Sequence, residues 1–143
     1  MGSVNAILKT KGNTTFTIIP DTMVYNALEI MVEKNVSALL VMENEKLAGI
    51  FTERDYARKV ILKGKASKET MIGEIMTREL ITVSSDTSID SCMRLMTGKH
   101  IRHLPVVDNG QLAGIISIGD VVKYIIEEQK FIIENMEHYI TGS

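Results

Sequence analysis

Gly114-Ile115-Ile116-Ser117-Ile118-Gly119-Asp120 restates, 65 positions later, the stretch Gly49-Ile50-Phe51-Thr52-Glu53-Arg54-Asp55. Each copy closes an apolar run with a small hydroxyl residue and places an aspartate three residues on. The same offset, without a gap, pairs Thr17 with Thr82, Asp21-Thr22 with Asp86-Thr87, Met31 with Met96, Leu39 with Leu104 and Val41 with Val106. Leu47-Ala48-Gly49-Ile50 likewise answers to Leu112-Ala113-Gly114-Ile115. A fixed period with matched hydrophobic spacing marks a duplicated structural unit.

Outward from the first motif, Thr15 to Ile19 is β-branched and aromatic and predicts a strand. Pro20-Asp21-Thr22 breaks it and offers a helix cap. Val24, Ala27, Leu28 and Met31 then carry amphipathic helical spacing. Ala38 to Met42 and Leu47 to Phe51, joined by Glu43-Asn44-Glu45, predict a hairpin, and Glu53 to Leu62 a second helix ending near Gly64. Before this unit, residues 4–14 read as a short lead-in carrying Lys9 and Lys11; after it, Lys63 to Thr70 reads as a polar connection.

The second unit follows suit. Ile81 to Val83 repeats the first strand, and Ile89, Cys92, Met93 and Met96 repeat the helix stripe. His103 to Val107 and Leu112 to Ser117 flank the turn signal Asp108-Asn109-Gly110. Val121, Val122, Ile125 and Ile126 repeat the last helix, which the pattern extends through Phe131, Ile132 and Met136. The fold class is therefore mixed α/β (α+β): two β-α-β-β-α repeats, over residues 15–63 and 80–128, with a helical tail over 129–143. A unit of about 46 residues buries too little surface alone. Packing two units sheet to sheet about a pseudo-two-fold axis solves this, and it leaves two clefts between like halves, a common place for ligands.

The chain of 143 residues, 45% apolar and 24% charged, has the composition of a folded globular domain. Its net charge of −2 gives no general attraction to nucleic acid or anionic lipid. One cysteine allows no internal disulfide, no apolar run reaches the ~20 residues of a membrane helix, and no signal pattern opens the chain. The expectation is a cytoplasmic protein that contacts neither membrane nor nucleic acid.

The doubled unit resembles a tandem pair of cystathionine β-synthase (CBS) domains, the Bateman module. The likeness covers nearly the whole chain. It rests on the two Gly-h-h-[Ser/Thr]-x-x-Asp motifs, on Val36-Ser37-Ala38-Leu39 and on Arg102-His103-Leu104-Pro105-Val106. The resemblance implies a free-standing, non-catalytic regulatory module that binds adenosine ligands (AMP, ADP, ATP, NAD or S-adenosylmethionine) in its clefts and pairs into a disc-like homodimer. AMP or a related adenine nucleotide heads that list, with NAD next because it carries an AMP half. The regulated protein is not legible from the residues.

Each motif supports two readings. Thr52/Asp55 and Ser117/Asp120 have the form of capping boxes that start helices. In a ligand site the same amides would face a phosphate, and the ionised carboxylate would accept from ribose hydroxyls. Arg102 and His103 are either an exposed pair beside the edge residue Pro105 or, as the resemblance implies, groups facing the ligand phosphate. Their counterparts are Ser37 and Ala38, so the basic equipment is lopsided and the cleft holding Asp120 is expected to bind more strongly. By resemblance that cleft also takes Lys11, Thr15 and Phe16, and the other takes Leu80 and Ile81 with Thr52 and Asp55. Arg54 is a solvated helix charge or a phosphate ligand; Gly119 replaces it in the second copy.

Other chemistry is not supported. Cys92 aligns with Ala27 and reads as a small core residue. His100, His103 and His138 lack the spacing of a metal set, and no catalytic triad or paired acid arrangement stands out. The tail from Glu127 to Ile140 reads as a packing or dimer helix. The alternative function is a structural dimerisation module without a ligand, its motifs acting only as helix caps.

Overall fold

The computed structural model describes residues 2–141. Its elements, in order, are α1 (Val4–Lys11), β1 (Thr17–Ile18), α2 (Val24–Lys34), β2 (Ala38–Glu43), β3 (Lys46–Thr52), α3 (Glu53–Asp55) running into a π-helical segment (Tyr56–Ile61), α4 (Ile72–Ile75), α5 (Ile89–Lys99), β4 (His103–Asp108), β5 (Gln111–Ser117) and α6 (Ile118–Thr141). Both predicted hairpins form. Asn44 and Glu45 in one turn, and Asn109 and Gly110 in the other, have left-handed φ, as tight hairpin turns require.

Each repeat has its own core. In the first, Val24, Ala27 and Met31 of α2 pack on Leu39, Val41 and Phe51 of the hairpin. In the second, Ile89, Cys92 and Met96 of α5 pack on Leu104, Val106 and Ile116. A third cluster joins the repeats: Leu40 and Ile50 of one sheet meet Leu112 and Ile115 of the other. Ile50 and Ile115 are equivalent residues meeting at one seam, as a two-fold relation requires. The Ser/Thr-x-x-Asp motifs begin at the ends of β3 and β5.

Several expectations need correction. The lead-in is a helix, α1, whose Val4 and Ile7 are buried in the core of the second repeat. Spaced three apart and followed by Leu8, they present one apolar face. α1 does for the second repeat what α4 does for the first. The Val4 amide donates to Thr87 O as Ile72 donates to Thr22 O. Leu8 likewise lies over Gly114 as Met76 lies over Gly49.

The predicted strand at Ile81 to Val83 shrinks to a single bridge between Val83 and Val106. In the first repeat the Leu40 amide donates to Phe16 O (3.4 Å). Pro105 stands where Leu40 stands and has no N–H to give Ile81, so the ladder stops. The Asp21-Thr22 cap is also displaced: Met23 is the N-cap of α2 and makes no side-chain cap bond. The helix expected from Glu53 to Leu62 is α-helical only at Glu53–Asp55 and continues as the π-helical segment, with Leu62 N donating to Ala57 O. Thr70, placed in a polar connection, is buried and its hydroxyl donates to Ala66 O.

Candidate functional site

The two motif corners are built alike and finished differently. At the first, β3 ends in Thr52, whose hydroxyl accepts from Asp55 N while the Asp55 carboxylate accepts from Thr52 N at 3.0 Å. This is a complete capping box. The remaining oxygen, Oδ1, accepts from Thr77 Oγ1 at 2.8 Å and pairs with Lys59 Nζ at 3.0 Å. Asp55 is 5% exposed. Both of its oxygens are spoken for by the protein.

At the second corner the Asp120 amide donates to Ser117 Oγ, and the carboxylate accepts from Ser117 N at 2.8 Å. The cation here comes from α1. Lys11 Nζ donates to Asp120 Oδ2 at 2.7 Å and to Ile115 O at 2.9 Å. Among the described residues, the hydrogen bonds accepted by this carboxylate all fall on Oδ2, and its side chain is 23% exposed. Partial burial pushes the carboxyl up, but the Lys11 hydrogen bond, the Ser117 amide, the Lys11 charge and the Ser117 hydroxyl outweigh it. Asp120 is held ionised below its usual range, with Oδ1 left to accept from a hydroxyl.

His103 closes the mouth of this corner and ties the repeats together, its Nε2 lying 3.1 Å from Ser37 Oγ. Burial first, then the charge of Lys11 and, more weakly, Arg102, push the imidazole down from its usual value; Asp120 opposes them. A neutral ring can take either role toward Ser37. Arg102 is exposed, and its carbonyl accepts from Ile118 N at the start of α6, just as Ser37 O accepts from Glu53 N. Lys11, His103, Ser117, Asp120 and Ser37 thus gather at one corner, where Lys11 pairs with the carboxylate and His103 lies near both. The exposed Arg102 borders the outer face of α6 with Ile118, Val122 and Lys123.

The other sequence-selected residues lie elsewhere. Phe16 packs against the first core with the Lys34 ammonium 5.5 Å from its ring centre, and the half-buried Thr15 precedes it. Ala38 and Leu80 belong to the apolar seam between the sheets, and Ile81 packs on the second core. Arg54 donates to His100 O at 3.0 Å, across to the left-handed end of α5, which ties it to the protein. Lys59 and Thr77, which complete the Asp55 corner, were missed. Lys59 could have been found from its i+4 spacing to Asp55. Thr77 carried no local signal.

Cys92 is fully buried and burial pushes its thiol up, as suits a core residue. Among the described residues no cluster of His, Cys, Asp or Glu could hold a metal ion, and no helix is long and apolar enough to cross a membrane.

Residues 13–62 and 72–127 each match the family model of the CBS domain. The chain belongs to the CBS domain family. It is 40% identical over 149 residues to the CBS domain-containing protein CBSX3, mitochondrial, of Arabidopsis thaliana, covering 98% of this chain and 72% of that one. The crystal structure of the CBS domain protein NE2398 superposes with a TM-score of 0.84 at 47% identity, covering 87% of this chain and 97% of the other. The CBS domain pair of protein MJ0100, solved with 5′-methylthioadenosine and S-adenosyl-L-methionine, superposes with a TM-score of 0.79 at 28% identity, covering 90% and 98%. CBS domain pairs are regulatory modules, and both halves of one are present here.

Proposed function

We propose that the chain is a non-catalytic sensor of an adenosine ligand, that the cleft holding Asp120 is its binding site, and that it works as a homodimer on a protein it regulates. The observation that carries this reading is the open Oδ1 of an ionised Asp120 beside Lys11 and His103. A ribose hydroxyl would donate to Oδ1, and Lys11, His103, the Arg102 side chain once turned inward, and the amino-terminal amides of α6 would meet phosphate oxygens. The ligands bound by the MJ0100 pair share the adenosine group. The Lys11 cation at Asp120 favours a phosphorylated member of that class, with AMP first and NAD next. The Asp55 corner serves as a helix cap in the arrangement described, its carboxylate being filled.

A thermal-shift panel with AMP, ADP, ATP, NAD, S-adenosylmethionine and GTP tests the reading. A ligand at 100 times its Kd adds about 2.7 kcal/mol, several degrees for a chain of this size. Shifts with adenine compounds and none with GTP are expected. No shift with any of them would leave a dimerisation module whose two motifs cap helices.

A further inference from the structure

α6 is longer than the body it packs on. Val121, Tyr124 and Ile125 join the second core, whereas Phe131, Ile132, Ile133, Met136, Tyr139 and Ile140 are exposed, Tyr139 by 90%. Val122, Ile126, Gln129, Ile133, Met136 and Ile140 step by alternating four and three residues, a 3.5-residue period that pairs one helix with another. Charge divides along the same helix. Arg102, Lys123 and Lys130, with Ile118, Val122 and Ile126, border an open recess of about 640 Å³ along its first half, where Glu127 is the acid on the rim. Residues 131–140 carry Glu134 and Glu137 and no lysine or arginine.

We infer that this recess seats residues 131–140 of a second copy, the two α6 helices lying antiparallel about Gln129. Val122 then faces Met136 of the other copy and Ile118 faces Ile140, so the apolar seam is closed along its length. Glu134 and Glu137 flank the level of Lys123 of the other copy, where a parallel pair would set them against their own counterparts. Gln129, the polar residue of the seam, meets itself at the two-fold axis. The arrangement rests on the self-association proposed above and needs no ligand.

Sedimentation and disulfide trapping on the full chain separate the two. Sedimentation is expected to show a dimer at micromolar concentration. Val122→Cys and Met136→Cys proteins, mixed and oxidised, are expected to form a mixed disulfide, and neither alone a self-linked one. The variants E134K/E137K and K123E should each lower dimer association by about tenfold at low salt, and mixing them should restore it. A monomer would overturn both the dimer and its arrangement. A dimer in which Val122→Cys links to itself, or which ignores the charge reversals, would overturn the arrangement and leave the dimer standing.

Discussion

Asp55 and Asp120 stand at equivalent ends of equivalent strands, yet one is enclosed and the other is partly exposed. The divergence lies in the segments that approach from outside the repeats. α4 is one turn long, so the chain beyond it is extended by Thr77, which bridges to Ile50 and donates its hydroxyl to Asp55. α1 runs a turn further, to Lys11, and only a side chain reaches across, to Ile115 O and Asp120. Within the repeats, Lys59 completes the first corner where Tyr124 stands in the second. A backbone bridge with a hydroxyl fills a corner permanently. A long, partly exposed lysine fills one oxygen and can share its charge with a ligand.

The sharpest break in that comparison is in stability. Asp55→Ala takes the acceptor from the Thr77 hydroxyl and the Thr52 amide at a buried corner, an expected loss of about 2–4 kcal/mol. Asp120→Ala removes a cap and a partly exposed ion pair, worth about 1 kcal/mol. Urea denaturation of both variants measures this, and equal losses would contradict the account.

A smaller effect separates Gly49 from Gly114. A Cβ on Gly49 would lie 2.8 Å from the Thr77 carbonyl, whereas one on Gly114 would lie 2.9 Å from Leu8 Cδ2, a tip that can turn aside. Gly49→Ala is expected to cost about 1–3 kcal/mol and Gly114→Ala under about 1 kcal/mol. The reverse order would show that α1 is the rigid support and α4 the yielding one.

The smallest effect is on pH. Burial, then Lys11, depress His103 below its ordinary 6.5, so the folded state resists the imidazolium. The stability this contributes is whole above about 6.5 and is lost as pH falls below it through the folded value. Ala38 holds the equivalent place in the first repeat, so the slope belongs to one corner alone. His103→Gln should flatten the fall of stability as pH drops below about 6.5; an unchanged slope would assign the titration elsewhere.

The repeats, both hairpins and the burial of Cys92 were legible because each rests on local pattern or on the 65-residue offset. α1 was not, because its core partners Val83, Ile89 and Val121 lie far along the chain. Nor was the closure of the Asp55 corner, which needs Thr77 brought back by α4. The lost strand at Ile81 was readable in principle: Pro105 was seen as an edge residue, and its missing N–H falls where the parallel ladder would continue.

Titration calorimetry with AMP on the unaltered protein, Asp120→Ala and Asp55→Ala tests the central claim most directly. Asp120→Ala is expected to weaken binding by about 10- to 100-fold, the worth of a charge-assisted hydrogen bond, while Asp55→Ala, held at a temperature where it stays folded, keeps its affinity. Lost binding in Asp55→Ala with intact binding in Asp120→Ala would place the ligand in the corner the protein fills for itself, and would contradict the account.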